Sequence, residues 1–342
     1  MILSKQIQEF ENLISNRNKI VIFCHKNPDG DSVGSVLALY NFINNYNPKN
    51  SISLVSPNSF PDFLKWMKSS DKIIFYENNA SEVEKIINDA DILIMPDFNE
   101  YSRVGDLEQI LSKANAKKII FDHHPYRNND KIDLLFHNTK AGATCEILFN
   151  VFSKISKGKF INFDVAECIY AGILTDTGSF NYTSTNSNIL KYSSLLIKKG
   201  VNHNKVFDNI YNNFSFDRMR FLGYCLNSKM IILPELKTAY VFVSSQDKID
   251  YNYIDGDLEG VVNYPLSIKN VVLSAIFVEN KDHIKISFRS KGKCDVNKLA
   301  NLYFNGGGHV NAAGGKYFKS LNETIIDFEK IIKENKNWFI CE

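Results

Sequence analysis

The sequence of 342 residues predicts an α/β protein with two domains. In its first half, short apolar runs rich in β-branched residues alternate with helical patterns, which indicates a mostly parallel sheet with helices on both faces. In its second half, strand patterns occur in pairs, which indicates a smaller α+β domain. A chain of this length can bury two cores of ordinary size. We expect domains at residues 1–185 and 227–342, joined by linker helices at 186–226.

The first half contains five runs with the composition of buried strands, and helical patterns separate several of them. The helical patterns lie at residues 32–43 and 82–89, and a longer one at 164–178 ends in glycine. The five strand runs are 19-KIVIFC-24, 51-SISLVS-56, 72-KIIFY-76, 91-DILIMPDF-98 and 117-KKIIFD-122.

The second half predicts two antiparallel pairs of strands, one at 229–234 with 238–244 and one at 271–280 with 283–291. A helix at 295–304 leads into 306-GGGHVNAAGG-315, and a capped helix closes the chain at 320–335. The consecutive N–H groups of the glycine-rich stretch, followed by an expected helix N-terminus, would form an anion-binding nest. Arg289 could bind a phosphate or carboxylate beside it.

The composition excludes several classes of protein. A formal net charge of +2 does not indicate an extended nucleic-acid-binding surface. Six cysteines without CxxC spacing argue against a zinc knuckle or a disulfide framework and favour reduced thiols in the cytoplasm. No apolar run approaches the roughly 20 residues that span a bilayer, so we expect no membrane segment.

The stretch 24-CHKNPDGDSVGS-35 places His25, Asp29 and Asp31 directly after the first strand. Ligands of open α/β sheets bind beyond the carboxyl ends of the strands, where these residues fall. Asp29 or Asp31 could cap the helix that begins near Ser32, and the three residues together could bind a metal ion. From this stretch alone, both interpretations remain open.

Further ionisable residues lie at the ends of two other predicted strands and of a predicted helix. Asp97 ends one strand, and Asp122, His123 and His124 end the next. Asp176 lies at the end of a predicted helix, where the helix dipole disfavours a carboxylate that has no positive partner. The same edge of the sheet thus receives several side chains that can bind a metal ion.

Two imidazoles and four carboxylates, without a thiolate, suit Mn(II) and related divalent ions. Six ligands exceed what one catalytic ion needs, and two ions about 3.5–4 Å apart that share one carboxylate fit the number. Such a pair activates water for phosphoester hydrolysis. The candidate metal ligands are His25, Asp29, Asp31, Asp97, His123 and Asp176.

Five motifs, in this order, resemble the DHH phosphoesterase family and its associated C-terminal substrate-binding domain. They are HxxPDGDSxGS at 25–35, PD at 96–97, DHHP at 122–125, DTGSF at 176–180 and GGGHxxAAG at 306–314. The sequence is most similar to the branch of bacterial nanoRNases that also act on 3′-phosphoadenosine 5′-phosphate (pAp).

The resemblance implies a role for each residue of the metal site. His25 and Asp29 would bind one ion, and Asp31, His123 and Asp176 the other. Three residues would serve catalysis: Asp97 by bridging the ions, Asp122 by orienting its neighbours and His124 by contacting the substrate. The substrate-binding residues that the resemblance implies are Arg103, Arg289, Ser290, Gly307, Gly308 and His309.

The function implied is a Mn-dependent hydrolase, with its active site between the domains, that degrades short single-stranded RNA, from di- to pentanucleotides, and converts pAp to AMP. A phosphodiesterase for cyclic or linear di-AMP is the main alternative. A manganese pyrophosphatase is less favoured because of the GGGH motif, and a non-catalytic nucleotide-binding module because every metal-binding residue is present. The resemblance also allows a homodimer.

Overall fold

The computed structural model describes residues 3–125 and 132–336, which form two compact units divided between Asn213 and Phe214. The segment 186–226, expected as a linker, forms three helices: α7 (Ser187–Lys198), α8 (His203–Tyr211) and α9 (Phe216–Ser228). The first two belong to the first unit because their apolar side chains are buried in its core. The third belongs to the second unit.

Within its described residues, the first unit contains all five predicted strands and one further strand. This sixth strand, Leu134–His137, has too short an apolar run to stand out in the sequence. The elements before α7 are α1 (Ser4–Ser15), β1 (Lys19–Phe23), α2 (Gly30–Tyr46), β2 (Ser51–Ser56), β3 (Ile73–Phe75), α3 (Ala80–Asn88), β4 (Ile92–Pro96), α4 (Glu108–Lys113), β5 (Lys117–Asp122), β6 (Leu134–His137), α5 (Thr144–Lys154) and α6 (Phe163–Asp176).

The first sheet has the strand order β3-β2-β1-β4-β5-β6, and all neighbouring strands are parallel. Side chains of β1 alternate between two cores: Ile20 and Ile22 pack in one, Val21 and Phe23 in the other. This burial on both faces confirms the predicted α/β class. The strand order reverses between β1 and β4, and such a point is where open α/β sheets bind ligands.

Helices α2 and α6 pack closely and run in opposite directions. A Cβ atom on Gly30, at the start of α2, would lie 2.4 Å from Thr175 Oγ1, near the end of α6. One on Gly172 would lie 2.9 Å from Asp31 Oδ1. The contact therefore requires residues without side chains and brings the start of α2 to the end of α6.

The second unit contains a mixed sheet with the order β11-β12-β10-β9-β8-β7, in which only β8 and β9 are parallel among the described strands. Both predicted antiparallel pairs are present. After α9, its elements are β7 (Met230–Leu233), β8 (Thr238–Val243), α10 (Ser245–Asp250), β9 (Leu273–Glu279), β10 (Ile284–Ser290), α11 (Val296–Tyr303), β11 (Gly307–His309), β12 (Ala312–Tyr317) and α12 (Leu321–Glu334).

The glycine-rich stretch does not lead directly into a helix, as the predicted anion-binding nest requires, because residues 307–309 and 312–317 form the antiparallel strands β11 and β12, and α12 begins only at Leu321. A Cβ atom on Gly306 would lie 1.8 Å from Gly314 O, so the glycines allow the two backbones to approach. The Gly308 N–H donates to Asn297 Oδ1 at 2.8 Å and is therefore not available for an anion.

No helix within residues 3–125 and 132–336 is long and apolar enough to cross a bilayer. The five cysteines in these ranges are buried, and none of them forms a disulfide with another described cysteine.

Candidate metal centre

Three adjacent parallel strands deliver ionisable side chains to one edge of the first sheet. His25 follows β1 after one residue, Asp97 follows β4 directly, and Asp122 is the last residue of β5, before His123. All four side chains are buried. They lie where the strand order reverses, as the parallel arrangement of the predicted strands requires.

One group of possible metal ligands consists of His25, Asp29 and Asp97. His25 Nε2 lies 3.5 Å from Asp97 Oδ2 and 3.8 Å from Asp29 Oδ2. Two atoms that bind one ion, each at about 2.1 Å, are about 3.0–3.4 Å apart. The observed separations are slightly wider, so a small inward movement of these side chains would let them bind an ion.

A second group consists of Asp31, His123 and Asp176. His123 Nε2 lies 3.2 Å from Asp176 Oδ2 and 4.0 Å from Asp31 Oδ2. Asp31 comes from the first turn of α2, and Asp176 is the last residue of α6. The antiparallel packing of these two helices therefore brings the carboxylates together from positions 145 residues apart, the difference between 31 and 176.

Asp97 contacts both groups through different oxygens. Its Oδ2 lies 3.5 Å from His25 Nε2, and its Oδ1 lies 3.6 Å from His123 Nε2. Its backbone is left-handed, with φ of 68°, and its N–H donates to Phe121 O at 2.8 Å. Aspartate tolerates this conformation better than most residues, and such backbones are frequent at functional sites. The carboxylate is oriented as a bridging ligand would be.

The other ring nitrogen of each histidine in these groups contacts a backbone carbonyl. His25 Nδ1 lies 3.0 Å from Lys26 O, and His123 Nδ1 lies 3.2 Å from Ala141 O. Because a carbonyl oxygen only accepts, each Nδ1 donates, and Nε2 of the neutral ring carries the lone pair. A histidine that binds a metal typically makes this second hydrogen bond, which fixes its tautomer and orientation.

Burial and mutual repulsion raise the pKa of two carboxyls. Burial is the main cause for Asp31, whose pKa is well above its usual range, and the charges of Asp97 and Asp176 add to it. Burial also raises the pKa of Asp176, although His123 opposes this effect. Asp31 and Asp176 therefore lie close to other carboxylates, and the positive charge around them does not offset their burial.

The pKa of Asp97 shifts in the opposite direction. Burial alone would raise it, but His25, His124 and His123 outweigh burial and lower it. Burial would lower the pKa of His123, but Asp176 raises it well above its usual range. Burial would likewise lower the pKa of His25, but Asp97 and Asp29 raise it. The histidines thus favour the ionised form of Asp97, whereas the pKa values of Asp31 and Asp176 stay raised because burial outweighs the effect of His123.

The donor set fits divalent ions. His25 Nε2 is buried and makes no hydrogen bond to any described residue. An unpaired polar atom in such a place is costly unless something binds it. With imidazole nitrogens and carboxylate oxygens around it, a divalent cation satisfies both this atom and the crowded carboxylates.

His124 belongs to a separate network around Asp122. Its Nδ1 lies 2.8 Å from Asp122 Oδ1, and Asn99 Nδ2 donates to Asp122 Oδ2. His137 Nε2 lies 2.6 Å from His124 O. The buried Asp122 therefore orients the ring of His124. The sequence motif indicated Asp122 and His124, whereas Asn99 and His137 carry no local signal that would have identified them.

Arg103 lies in a short 3-10 helix, Tyr101–Leu107, and its backbone lies beside the first group of possible metal ligands. Arg103 O accepts from Lys26 N at 2.7 Å, one residue after His25. The guanidinium is close enough to act electrostatically on His25. This position agrees with a role in contacting a phosphate.

Among the predicted substrate-binding residues of the second unit, Arg289 and His309 share a face of the sheet, whereas Ser290 lies on the opposite face. Arg289 pairs with Ala312, and Ala312 pairs with His309, so Arg289 and His309 lie on one face of the sheet with a small side chain between them. Ser290 follows Arg289 and faces the other side. Its hydroxyl donates to Cys294 O at 2.5 Å and accepts from Asn311 Nδ2 at 2.9 Å.

Thr144, which the sequence did not indicate, contacts one carboxylate in each of the two groups of possible metal ligands. Its Oγ1 donates to Asp97 Oδ1 at 2.9 Å, and its N–H donates to Asp31 Oδ2 at 2.6 Å. The available signal was weak: the stretch 138-NTKAGATC-145 joins a strand to a helix, where polar residues often serve as caps.

Residues 19–173 match the DHH family, N-terminal domain, and residues 236–339 match the DHHA1 domain. A Bacillus subtilis relative, named bifunctional oligoribonuclease and PAP phosphatase NrnA, is 27% identical over 94% of this chain and 97% of its own length. A solved structure of an exopolyphosphatase-related protein from Bacteroides fragilis is 36% identical, with a TM-score of 0.93 over 98% of each chain.

RecJ from Thermus thermophilus, solved in complex with Mn²⁺, shares the fold with a TM-score of 0.54 at 11% identity. It covers 98% of this chain and 55% of its own. The two domain matches occur in the order that the motifs predicted, and the similarity to the Bacteroides fragilis structure extends over nearly the whole chain. The chain therefore belongs to the DHH family and carries a DHHA1 domain.

Proposed function

We propose that this chain is a metal-dependent phosphoester hydrolase that degrades short oligoribonucleotides to mononucleotides and dephosphorylates pAp to AMP. The observation that carries the proposal is the pair of ligand groups that share Asp97, each with one buried histidine. The name of the Bacillus subtilis relative supports the choice of substrates.

In this proposal, His25 and Asp29 hold one divalent ion, Asp31, His123 and Asp176 hold the other, and Asp97 serves both. A pair of ions bound there would activate water and neutralise charge on the phosphoryl oxygens. Nitrogen and oxygen donors without thiolate favour Mn(II).

His124 is the proposed proton donor to the leaving oxygen. Since its Nδ1 contacts Asp122 Oδ1, Nε2 is the nitrogen that would donate. Asp122 fixes the orientation of the ring through its contact with Nδ1, and Asn99 holds Asp122 through its second oxygen. Arg103 would bind a phosphate of the substrate.

The second unit supplies the remaining substrate contacts in this proposal. Arg289 and His309, which share a face of the sheet, would bind the terminal phosphate. Gly307 and Gly308 would allow the nucleotide to approach the backbone. The hydroxyl of Ser290 would act indirectly, because it holds the backbone of this region through Cys294 and Asn311.

Short substrates agree with the formal net charge of +2, since a few fixed phosphate contacts replace an extended basic groove. We propose di- to pentanucleotides as the RNA substrates and the cytoplasm as the location. Light scattering of the purified protein tests the proposed homodimer.

A turnover panel tests the function. Metal-depleted protein is supplied with Mn(II) and either pAp, a 5′-phosphorylated RNA dinucleotide, cyclic di-AMP or pyrophosphate. We expect AMP and phosphate from pAp, mononucleotides from the dinucleotide, and no turnover before Mn(II) is added. Asp97→Ala, purified in the same way, controls for a contaminating nuclease. Phosphate release from pyrophosphate alone, or turnover of cyclic di-AMP alone, would overturn the proposal.

A further inference from the structure

Thr144 is the first residue of α5 and is fully buried. Its backbone N–H donates to Asp31 Oδ2 at 2.6 Å, and the N–H of Cys145 donates to Asp31 Oδ1 at 3.0 Å. Both carboxylate oxygens of Asp31 are thus held by the first turn of a helix. The residue before this turn is Ala143, which has no polar side chain, so Asp31 serves as the cap that α5 lacks.

The hydroxyl of Thr144 contacts Asp97, the carboxylate that lies between the two groups. Thr144 Oγ1 donates to Asp97 Oδ1 at 2.9 Å. This is the oxygen that lies 3.6 Å from His123 Nε2, whereas Asp97 Oδ2 lies 3.5 Å from His25 Nε2. The hydrogen bond therefore restrains the carboxylate in the orientation in which each oxygen faces a different histidine.

We infer that Thr144 is a positioning residue that keeps Asp97 in its bridging orientation between the two ligand groups. The inference rests on the proposed function, because it assumes that both groups bind an ion. Without the hydroxyl, the Asp97 carboxylate could rotate about its Cβ–Cγ bond, because Oδ1, the oxygen nearer His123, would lose its hydrogen bond to Thr144. Asp31 is unaffected in this respect, because backbone N–H groups hold it whatever side chain occupies position 144.

Thr144→Val tests this role, because valine has nearly the same shape and lacks only the hydroxyl. Loss of a residue that orients a metal ligand typically costs about 10- to 100-fold in affinity. We expect one of two Mn(II) dissociation constants to rise by about this factor and the other to change little. Thr144→Ser, which keeps the hydroxyl, should restore the affinity.

The measurement is a titration of metal-free, full-length protein with Mn(II), in which electron paramagnetic resonance reports the free ion, together with the melting temperature of the metal-free protein. Thr324→Val is the matched control. Thr324 is also fully buried, but its hydroxyl donates to Ser320 O in the second unit. This control should lower the melting temperature and leave both dissociation constants unchanged.

Two Mn(II) ions bound by the wild type and by Thr144→Val with the same affinities would overturn the inference and leave the proposed function intact. A lower melting temperature without a change of affinity would likewise overturn it, because the role would then be structural. If the wild type bound no Mn(II), the proposed function would fail, and the inference with it.

Discussion

Asp29 Oδ2 lies 3.8 Å from Nε2 of His25, the residue four positions earlier in the sequence. The other oxygen, Asp29 Oδ1, accepts from the N–H groups of Asp31 and Ser32 at 3.1 and 3.0 Å. Asp29 therefore caps α2 with one oxygen and presents the second to His25. The two interpretations that the sequence left open are compatible, because a carboxylate has two oxygens for two tasks.

Two substitutions at Asp29 should separate these tasks. Asparagine caps a helix as well as aspartate, so we expect Asp29→Asn to leave the stability of the metal-free protein nearly unchanged and to weaken Mn(II) binding. Asp29→Ala should also weaken binding and should cost about 1 kcal/mol of stability through the lost cap. Calorimetry and Mn(II) titration measure the two effects. Wild-type affinity in Asp29→Asn would contradict a ligand role for this residue.

Asp97→Ala should abolish turnover at every Mn(II) concentration, because both ligand groups lose a member. We expect a loss of at least about 10³-fold on pAp and on dinucleotides, since two-ion activation depends on the shared ligand. Asp71→Ala, at an exposed carboxylate, is the control and should remain active. Near-normal activity of Asp97→Ala would refute the bridging role.

The role of His124 depends on the leaving group of the substrate. We expect His124→Ala to slow cleavage of an RNA dinucleotide by about 10²- to 10⁴-fold, the usual contribution of a proton donor. A p-nitrophenyl ester of a nucleotide needs no protonation of its leaving oxygen, so its cleavage should slow much less. Equal losses on both substrates would show that His124 does not act as the acid.

Gly172→Ala should destabilise the first unit and weaken Mn(II) binding. The added Cβ would lie 2.4 Å from Cys145 Sγ and 2.9 Å from Asp31 Oδ1, so the carboxylate must move. We expect a cost of about 1–3 kcal/mol, as is usual for overpacking.

Gly223→Ala is the matched control, because Gly223 is also helical and a Cβ there would have no described atom within 4 Å. This variant should gain up to about 1 kcal/mol from helix propensity. Equal effects of the two substitutions on stability would contradict the close packing of α2 and α6.

An ion pair in the second unit, between the buried Asp247 and the half-buried Lys229, predicts a pH-dependent effect on stability. Asp247 Oδ2 lies 2.8 Å from Lys229 Nζ, and Tyr224 OH donates to Asp247 Oδ1 at 2.8 Å. Burial alone would raise the pKa of Asp247, but hydrogen bonds from Lys229 and Ser244 outweigh burial and lower the pKa. Because the pKa of Asp247 is lower in the folded state, its ionised carboxylate stabilises the fold at pH values above the unfolded-state pKa of 3.8. This stabilisation is lost as the pH falls through the folded-state pKa.

We therefore expect Asp247→Asn to cost about 2–4 kcal/mol near neutral pH and progressively less below the unfolded pKa, as measured by urea unfolding at several pH values. Asp327→Asn is the control, since Asp327 has the same kinds of partner, Lys319 and Tyr317, at a position more exposed than that of Asp247. Its effect should be smaller. A pH-independent cost in Asp247→Asn would contradict the ionic contribution.

The fold and the clustering of the candidate metal ligands could be predicted largely from the sequence. Apolar runs in β1, β4 and β5 identified parallel strands, and parallel strands place their carboxyl ends at one edge of the sheet. His25, Asp97 and His123 are therefore close in space because each follows such a strand. The short strand β6 and the hairpin of β11 and β12 were missed, since glycine and four-residue runs give little periodic signal.

Only the tertiary structure decided how these residues are oriented. The sequence determined which side chains reach the edge of the first sheet, because local periodicity sets the strands and their ends. It did not determine that the first turn of α5 holds Asp31, or that Thr144 restrains one oxygen of Asp97. Those contacts join residues more than 40 positions apart, and they depend on how helices pack across the sheet, which local sequence patterns do not encode.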